Sequence, residues 1–441
     1  MIEPNPSALQ LQVQTLADSA IALLARGQHD EAEQVFNKVL EAAPYHRDAL
    51  NFLATRAYGR GELGRCVELL EKGVRAKPDD PVLQENLAVA YADSGRLAEA
   101  SEQFDRVLEL RPGHLDATLY KGHLLERDGN PADALEYYAR ACVAVGNVNA
   151  YLQSSIRPAR MKELVRRAVA AVMSELRRML AAGLEPVHAR HAGADFSRVD
   201  ACVLAFVGGK QQRPDALQRP SFLYFPGLST KPFYERSEIP ESRVLEAAAP
   251  AVLADYSALL AQAADFSPYV QAPAHQDPQQ WRDLNNSPAW SAYHLYRNSE
   301  RVAEAYEACP ETARVVESLP LARIAGHAPE VFFSVLNPGT HIPPHFGLGN
   351  YKLAVHLPLV LPGDCAIRVG NETRSWEEGK CLIFDDSFQH EAWNRSGQPR
   401  VVLILDVWHP ELYEHEREAI SAVIEVIGEF RKRYGIEFFK T

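Results

Sequence analysis

Two histidines and an arginine in the last quarter of the chain have the types and spacing of a metal site. His345 ends the segment NPGTHIPPH, which we interpret as a loop, and His390 ends the segment IFDDSFQH, 45 residues later. Arg400 opens the apolar run VVLIL, where a guanidinium is costly unless it meets a carboxylate. Imidazole is a good ligand for Fe(II), and guanidinium binds carboxylates in a bidentate way. These residues favour a non-haem iron site that binds a 2-oxo acid.

The spacing alone leaves the ligand set open. The usual facial triad combines an HxD motif with a distal histidine, whereas the residue two positions after His345 is Gly347. His341 lies in the same segment as His345 and is an alternative ligand.

The elements around these residues predict a β-rich core with flanking helices. From Glu330 onward, Pro, Gly and Asn turns separate short β-prone runs, a pattern typical of an antiparallel sandwich or barrel: VFFSVL, YKLAVHLPLVL, CAIRVG, GKCLIF and RVVLILDVW. Residues 351–360 alternate, which places two sets of side chains on opposite faces of a strand. One set is Leu353, Val355, Leu357 and Leu359, and the other is Lys352, Ala354, His356 and Pro358. Helices are predicted over about 242–263 and 410–434.

The first third of the chain contains an internal repeat. Glycines recur every 34 residues, at Gly27, Gly61, Gly95 and Gly129. Small residues follow five positions later, at Ala32, Cys66, Ala100 and Ala134, and large apolar ones four further on, at Phe36, Leu70, Phe104 and Tyr138. The period and the small positions resemble the tetratricopeptide repeat, with about four repeats over 15–148. Such an all-α solenoid commonly binds a protein or peptide partner, although a dimerisation or spacer module has the same pattern.

Residues 149–200 are predicted to be a helical connector followed by a linker. Apolar residues recur at helical spacing among arginines over about 157–184, and the stretch GLEPVHARHAGADFS is typical of a linker. A basic amphipathic helix can touch a membrane surface or a partner. We favour the alternative that it caps the solenoid.

Three segments of the C-terminal region, 201–441, resemble the aspartyl/asparaginyl β-hydroxylase family. They are SVLNPGTHIPPHFGLGNYKLAVHLPLV, NETRSWEEGKCLIFDDSFQHEAWN and VVLILDVWHPEL. The resemblance implies a double-stranded β-helix, a jelly-roll or cupin-like core, and an Fe(II)- and 2-oxoglutarate-dependent dioxygenase that uses O2. Family members of this type bind iron through two histidines, with glycine where the carboxylate would be. That pattern falls on His345, Gly347 and His390, and no catalytic residue is expected beyond the metal centre.

The resemblance also implies the co-substrate and substrate contacts. Arg400 is expected to hold the distal carboxylate of 2-oxoglutarate, with Ser334, His356 and Trp290 as further contacts. Asp386 falls at an acidic position near the family's substrate pocket. The chain departs from the animal enzyme at Ala354, where that enzyme has a substrate-contacting arginine, and this puts an aspartyl substrate in doubt.

The expected activity is hydroxylation of the β-carbon of a peptidyl Asp or Asn, or of a related substrate that the repeats recruit. One alternative is a hydroxylase or halogenase of a small molecule or lipid, since a halide can fill the position that the carboxylate leaves. Another is a non-catalytic adaptor built on the repeats.

Composition excludes several other classes of protein. The 441 residues carry a formal charge of −12 and are 46% hydrophobic, so we expect a globular chain that does not bind nucleic acid. No signal peptide or transmembrane segment is evident. Six scattered cysteines without a CxxC motif indicate reduced thiols, and we expect a cytoplasmic protein.

Overall fold

The computed structural model describes residues 6–208, 215–272 and 279–435. The chain divides into two compact units. The first ends at Ser174 and the second runs from Glu175 to Arg433. None of the described helices is long and apolar enough to span a membrane, and the six cysteines are free thiols, as expected.

Antiparallel helix pairs build the first unit, as the 34-residue period predicts. They are α1 (Pro6–Ala25), α2 (His29–Ala42), α3 (Arg47–Gly59), α4 (Leu63–Ala76), α5 (Pro81–Asp93), α6 (Leu97–Leu110), α7 (Leu115–Arg127) and α8 (Pro131–Val145). The four periodic glycines lie between the helices of each pair and have φ angles of +74°, +76°, +81° and +81°. This left-handed conformation favours glycine, so the recurring residue marks the recurring turn.

Small residues let the two helices of a pair approach each other. Ala32, Ala100 and Ala134 are at most 1% exposed, and the large residues four positions later are equally buried. In the last pair the contact is closest at Gly122 of α7. A Cβ there would lie 2.9 Å from the ring carbons Cδ1 and Cε1 of Tyr138 in α8. The size of these residues therefore sets the distance between the helices.

The predicted linker is wrong over most of its length. After α9 (Val148–Gln153), helix α10 runs from Ala159 to Arg190 and continues through Pro186. Proline removes one backbone hydrogen bond from a helix, but Leu180, Leu184 and Val187 on the same helix are at most 5% exposed. Burial of this apolar face outweighs the local propensity of the sequence. Helix α11 (Ser197–Phe206) follows.

The second unit contains two antiparallel sheets. The larger has the order β1-β10-β7-β12-β5-β3-β2, with β4 paired to β3, and the smaller has the order β6-β11-β8-β9. The strands are β1 (Phe233–Tyr234), β2 (Ser267–Pro268), β3 (Trp290–Arg297), β4 (Glu300–Arg301), β5 (Val331–Leu336), β6 (Thr340–His345), β7 (Lys352–Val360), β8 (Cys365–Val369), β9 (Glu372–Arg374), β10 (Leu382–Phe384), β11 (His390–Asn394) and β12 (Arg400–Trp408). From β5 onward the chain alternates between the two sheets, except that β8 and β9 follow each other in the smaller one.

Helices flank this β-sandwich, as predicted. They are α12 (Ser242–Ala247), α13 (Ala249–Ala261), α14 (Ala303–Ala308), α15 (Pro310–Glu317) and α16 (Glu414–Tyr434), with a 3-10 turn at Gln279–Trp281. The large sheet has a core on each face. Leu353, Val355, Leu357 and Leu359 belong to the cluster that includes residues of α13 and α15. Ala354 belongs to a second cluster that combines residues of both sheets. The predicted alternation of β7 is thus confirmed.

Several strands differ from the expectation, since β6 was interpreted as a loop and β1, β2, β3, β4, β9 and β11 were not predicted. The segment interpreted as a loop before His345 is strand β6, although it contains Pro343 and Pro344. β6 lies at the edge of the small sheet, where a missing N–H breaks no ladder bond on the open side. Strand β3 was not predicted, and it pairs with β5 from Trp290 to Tyr296.

Replacing Gly122 tests the helix spacing of the repeats. We expect Gly122→Ala to lower the free energy of unfolding by about 1–2 kcal/mol, because the new methyl group overlaps Tyr138. Gly64 of α4 is the matched control, since a Cβ there meets nothing within 4 Å. Gly64→Ala should be neutral or stabilise by about 0.5 kcal/mol. Urea unfolding of both variants checks this, and equal midpoints would contradict it.

Candidate active site

His345 and His390 face each other on neighbouring strands. They are direct partners in the register of β6 and β11, and their ring centroids lie 4.0 Å apart. Nδ1 of His345 contacts the carbonyl oxygen of Pro343 at 2.8 Å, and Nδ1 of His390 contacts that of Phe388 at 2.9 Å. A carbonyl only accepts, so each Nδ1 carries the proton and donates. Both Nε2 atoms therefore keep a lone pair, the form in which imidazole binds a metal.

Burial keeps both imidazoles neutral. It lowers the pKa of His345 to about 3, with a further contribution from the neighbouring His390 ring, and the pKa of His390 to about 4. Neither ring needs to lose a proton at neutral pH before it can donate its lone pair.

Gly347 leaves space that another side chain takes. A Cβ at this position would overlap the carboxylate of Asp386. The N–H of Gly347 also donates to the carbonyl oxygen of Asp386 at 2.7 Å, which holds the two segments together. A carboxylate two residues after His345 therefore does not fit, and the departure from HxD has a steric basis.

Arg400 is the largest fully buried side chain of the described residues, at 1% exposed. Its Nη2 donates to Oγ of Ser334 at 3.1 Å, and its guanidinium lies over the ring of Trp376 at 5.0 Å. Its Nε is buried without a partner, and no carboxylate of the described residues pairs with it. Burial lowers the pKa of Arg400 to about 10, so the group remains charged at neutral pH. None of the described side chains supplies a counter-ion for it.

Ser334 and His356 present hydrogen-bond donors beside this guanidinium. Oγ of Ser334 accepts from both Arg400 and Nε1 of Trp290, each at 3.1 Å, so its own hydrogen is left to donate. Nε1 of Trp376 donates to Nδ1 of His356 at 3.3 Å, which places the proton of the imidazole on Nε2. Burial, Arg400 and His390 hold the pKa of His356 well below its usual value.

A continuous ring of contacts joins the metal-ligand candidates to the arginine. One side runs from His345 to Trp281 at 4.9 Å between ring centroids, and from Trp281 to Trp290 at 6.2 Å. The other runs from His390 to Phe384 at 5.6 Å, and from Phe384 to His356 at 4.9 Å. The whole ring comprises His345, Trp281, Trp290, Ser334, Arg400, Trp376, His356, Phe384 and His390. It brings together every residue that we predicted for the metal and for 2-oxoglutarate.

Asp386 lies beside this ring in a buried charge cluster. Nζ of Lys352 contacts Asp386 at 3.1 Å and Asp406 at 2.8 Å. Burial alone would lower the pKa of Lys352, but the two carboxylates hold it well above its usual value. One ammonium faces two carboxylates, and Oδ1 of Asp386 is buried without a partner. The neighbouring Asp385 is separate, because it accepts hydrogen bonds from Gln218 and Ser387.

The alternative ligand His341 points away from the site. Its Nε2 contacts Oε2 of Glu391 at 2.7 Å, and its side chain is 52% exposed. In the described part of the chain, no group of three or more His, Cys, Asp or Glu side chains is placed to hold a metal.

Sequence reasoning missed three residues that shape the site. Trp376 contacts both Arg400 and His356, and Trp281 packs on His345. Lys352 forms an ion pair with Asp386. Lys352 had a usable signal, because it falls on the same face of β7 as His356. Trp281 and Trp376 lie outside the strands, so no periodicity marks them.

Comparison with known families agrees with this architecture. Residues 246–410 match the family described as aspartyl/asparaginyl beta-hydroxylase. Residues 23–90 and 85–148 match tetratricopeptide repeats.

Individual relatives match the C-terminal part of the chain. Human aspartyl/asparaginyl beta-hydroxylase is 40% identical over 142 residues, which are 32% of this chain and 19% of that protein. Human aspartate beta-hydroxylase domain-containing protein 2 is 32% identical over 217 residues, 47% of this chain and 55% of that protein. Ornithine lipid ester-linked acyl 2-hydroxylase of Rhizobium tropici is 32% identical over 192 residues, 43% of this chain and 64% of that protein.

The matched segments thus cover less than two thirds of each of these relatives. The helical repeats and the β-sandwich each lie in the region that the corresponding family model matches. The chain joins tetratricopeptide repeats to a region that is similar to the aspartyl/asparaginyl β-hydroxylase family.

Proposed function

We propose that the C-terminal domain is an Fe(II)- and 2-oxoglutarate-dependent dioxygenase. His345 and His390 would hold Fe(II), and Arg400 would bind the distal carboxylate of 2-oxoglutarate, with Ser334, His356 and Trp290 lining its site. The observation that carries the proposal is the buried Arg400 guanidinium, which no carboxylate of the described residues neutralises.

The donor set fits both groups. Two neutral imidazoles with free Nε2 atoms suit Fe(II), and two protein ligands leave several coordination positions open. A buried arginine is stable when a bidentate carboxylate neutralises it. The Ser334 hydroxyl and the Nε2–H of His356 supply the further donors that an anionic co-substrate needs.

The bound iron would supply the activation of O2 that couples oxidative decarboxylation of 2-oxoglutarate to hydroxylation of a C–H bond. The protein's own residues orient the reactants and limit water. Trp281, Trp290 and Phe384 wall the site with apolar rings. The Nδ1 bonds to Pro343 and Phe388 fix the tautomer and orientation of both histidines.

The first candidate substrate is a peptidyl Asp or Asn, hydroxylated at the β-carbon, with the repeats recruiting the protein that carries it. The similarity of residues 246–410 to the aspartyl/asparaginyl beta-hydroxylase family supports this candidate. A cytoplasmic location fits such a role and is part of the proposal.

The second candidate is a lipid or small molecule without a carboxylate at the reacting carbon. Ala354 favours it, because the inner face of β7 carries a methyl group there and the neighbouring Lys352 is already paired with two carboxylates. The Rhizobium relative is named for hydroxylating the acyl chain of a lipid.

Succinate release from 2-oxoglutarate, measured with a panel of peptides, amino acids and lipids, tests the proposal. Stimulation by one class, with a product heavier by one oxygen atom, would support it. If no Fe(II)-dependent succinate release is seen, either with any of these classes or without added substrate, the adaptor alternative is favoured.

Replacing either metal-ligand candidate should abolish iron binding. We expect His345→Ala and His390→Ala to remove the metal-to-ligand absorption band of the anaerobic complex with Fe(II) and 2-oxoglutarate. His341→Ala is the matched control and should leave the band intact, since His341 pairs with Glu391 outside the site. A band that persists in His345→Ala would contradict the assignment.

Replacing Arg400 should weaken 2-oxoglutarate binding. We expect Arg400→Gln to raise the KM for 2-oxoglutarate by about a hundredfold, because losing one partner of a buried charge pair costs about 2–5 kcal/mol. Arg368→Gln is the control, since Arg368 pairs with Glu391 on the small sheet. An unchanged KM in a folded Arg400→Gln variant would refute the role.

The residue at position 354 should decide between charged and uncharged substrates. With matched peptides, we expect the wild-type chain to release succinate about tenfold faster with asparagine than with aspartate, because Lys352, on the same face of β7 as Ala354, is already paired with Asp386 and Asp406. Ala354→Arg should reverse this preference, and Ala354→Leu, which adds bulk without charge, should not. Equal rates with both peptides in all three chains would disprove the charge argument.

A further inference from the structure

The first helices of three successive repeats form a surface that binds arginine. Tyr58 lies in α3, Asp93 at the end of α5, and Tyr120 and Glu126 in α7. We call these four residues the arginine-binding surface. Its occupant in this structure is the first part of α10, residues 159–174, which belongs to the same compact unit.

Arg160 is bound on three sides. Its Nη1 and Nη2 contact Oδ2 and Oδ1 of Asp93 at 2.9 and 2.8 Å, a bidentate pair. Nη1 also donates to the Tyr58 hydroxyl at 3.1 Å, and that hydroxyl donates to Asp93. The guanidinium lies over the Tyr120 ring at 4.9 Å. Carboxylate, hydroxyl and aromatic ring are the set that recognises the planar arginine fork.

A second arginine repeats the contact two helical turns later. Nε of Arg167 donates to Oε2 of Glu126 at 2.6 Å, and the Tyr138 hydroxyl donates to the same oxygen at 2.7 Å. Residues seven apart lie on nearly the same side of a helix. The apolar residues of this segment are at most 7% exposed: Met161, Leu164, Val165, Ala168 and Val172. The ligand is thus a basic amphipathic helix with an R-x6-R spacing.

The fit of this helix is incomplete. A cavity of about 460 Å³ remains between α7 and α10, lined among others by His123, Arg160, Leu164 and Arg167. Nδ1 of His123 is buried without a partner among the described residues. The side chains of Arg160 and Arg167 are 43% and 47% exposed, and ion pairs this exposed add little stability. Such a contact can exchange.

We propose that the arginine-binding surface is a docking site for basic amphipathic helices, and that the first part of α10 is its displaceable internal ligand. A partner would present two arginines seven residues apart beside an apolar stripe, and it would have to displace α10 to bind. This goes beyond recruitment by the repeats, because it names the surface, the chemistry of the partner and its competitor.

A peptide of residues 157–174, labelled with fluorescein, tests the proposal by fluorescence anisotropy with the full chain. The double variant Arg160→Glu/Arg167→Glu places like charges opposite Asp93 and Glu126, which weakens the attachment of its own helix but keeps the arginine-binding surface. We expect it to bind the peptide at least about tenfold more tightly than the wild-type chain does. Arg65→Glu is the control and should match the wild type, since Arg65 pairs with Glu68 of its own helix, α4, outside this cavity.

Removing the surface should remove the binding. Adding Asp93→Ala and Glu126→Ala to the double variant should return the affinity to the wild-type level. Equal affinity of the wild type and the double variant, including no binding by either, would overturn the proposal, provided that circular dichroism shows folded repeats. If the double variant does not fold, Arg160→Gln/Arg167→Gln is measured against the same criteria.

Discussion

The C-terminal domain is organised around one costly interaction, the burial of the Arg400 guanidinium. A charged group removed from water costs several kcal/mol unless it is paired, and here the described chain offers only the Ser334 hydroxyl and the face of Trp376. Contacts other than those of the Arg400 side chain must therefore stabilise the sandwich. β12 supplies them, because it pairs with both β5 and β7 and its apolar residues contribute to the core beside α13 and α15. The strand that carries the charge is thus an interior strand of the large sheet, hydrogen-bonded on both sides.

The glycine at position 347, where an HxD motif would place a carboxylate, has a similar origin in packing. Asp386 fills the space in front of Gly347, and Lys352 ties Asp386 to Asp406 on β12. A carboxylate after His345 would compete with this cluster for the same volume. The acidic group near the histidines thus comes from the segment before β11 rather than from the one after β6, and the residue at position 347 is confined to glycine for steric reasons.

In the repeats, too, the packing depends on the size and charge of individual side chains. Alanine and glycine at the contact points bring the helices of a pair together. Tyr58, Asp93 and Glu126, near the ends of the first helices, stay partly exposed. These polar ends are already occupied by arginines of α10. The apolar face of the same helix explains why it continues through Pro186, where local propensity favours a break.

The features that depend on local period and on residue type could be predicted from the sequence. The 34-residue spacing predicted the helix pairs, and short β-prone runs separated by turns predicted β5, β7, β8, β10 and β12. Residue type, spacing and the resemblance together singled out His345, His390 and Arg400. Tertiary structure decided the rest. β6 is a strand because β11 offers it a partner, despite two prolines. Trp281 and Trp376 join the site through contacts between segments distant in the chain. The pairing of Lys352 with Asp386 spans 34 residues. Such contacts leave no periodic trace, because their energy arises only when separate segments meet.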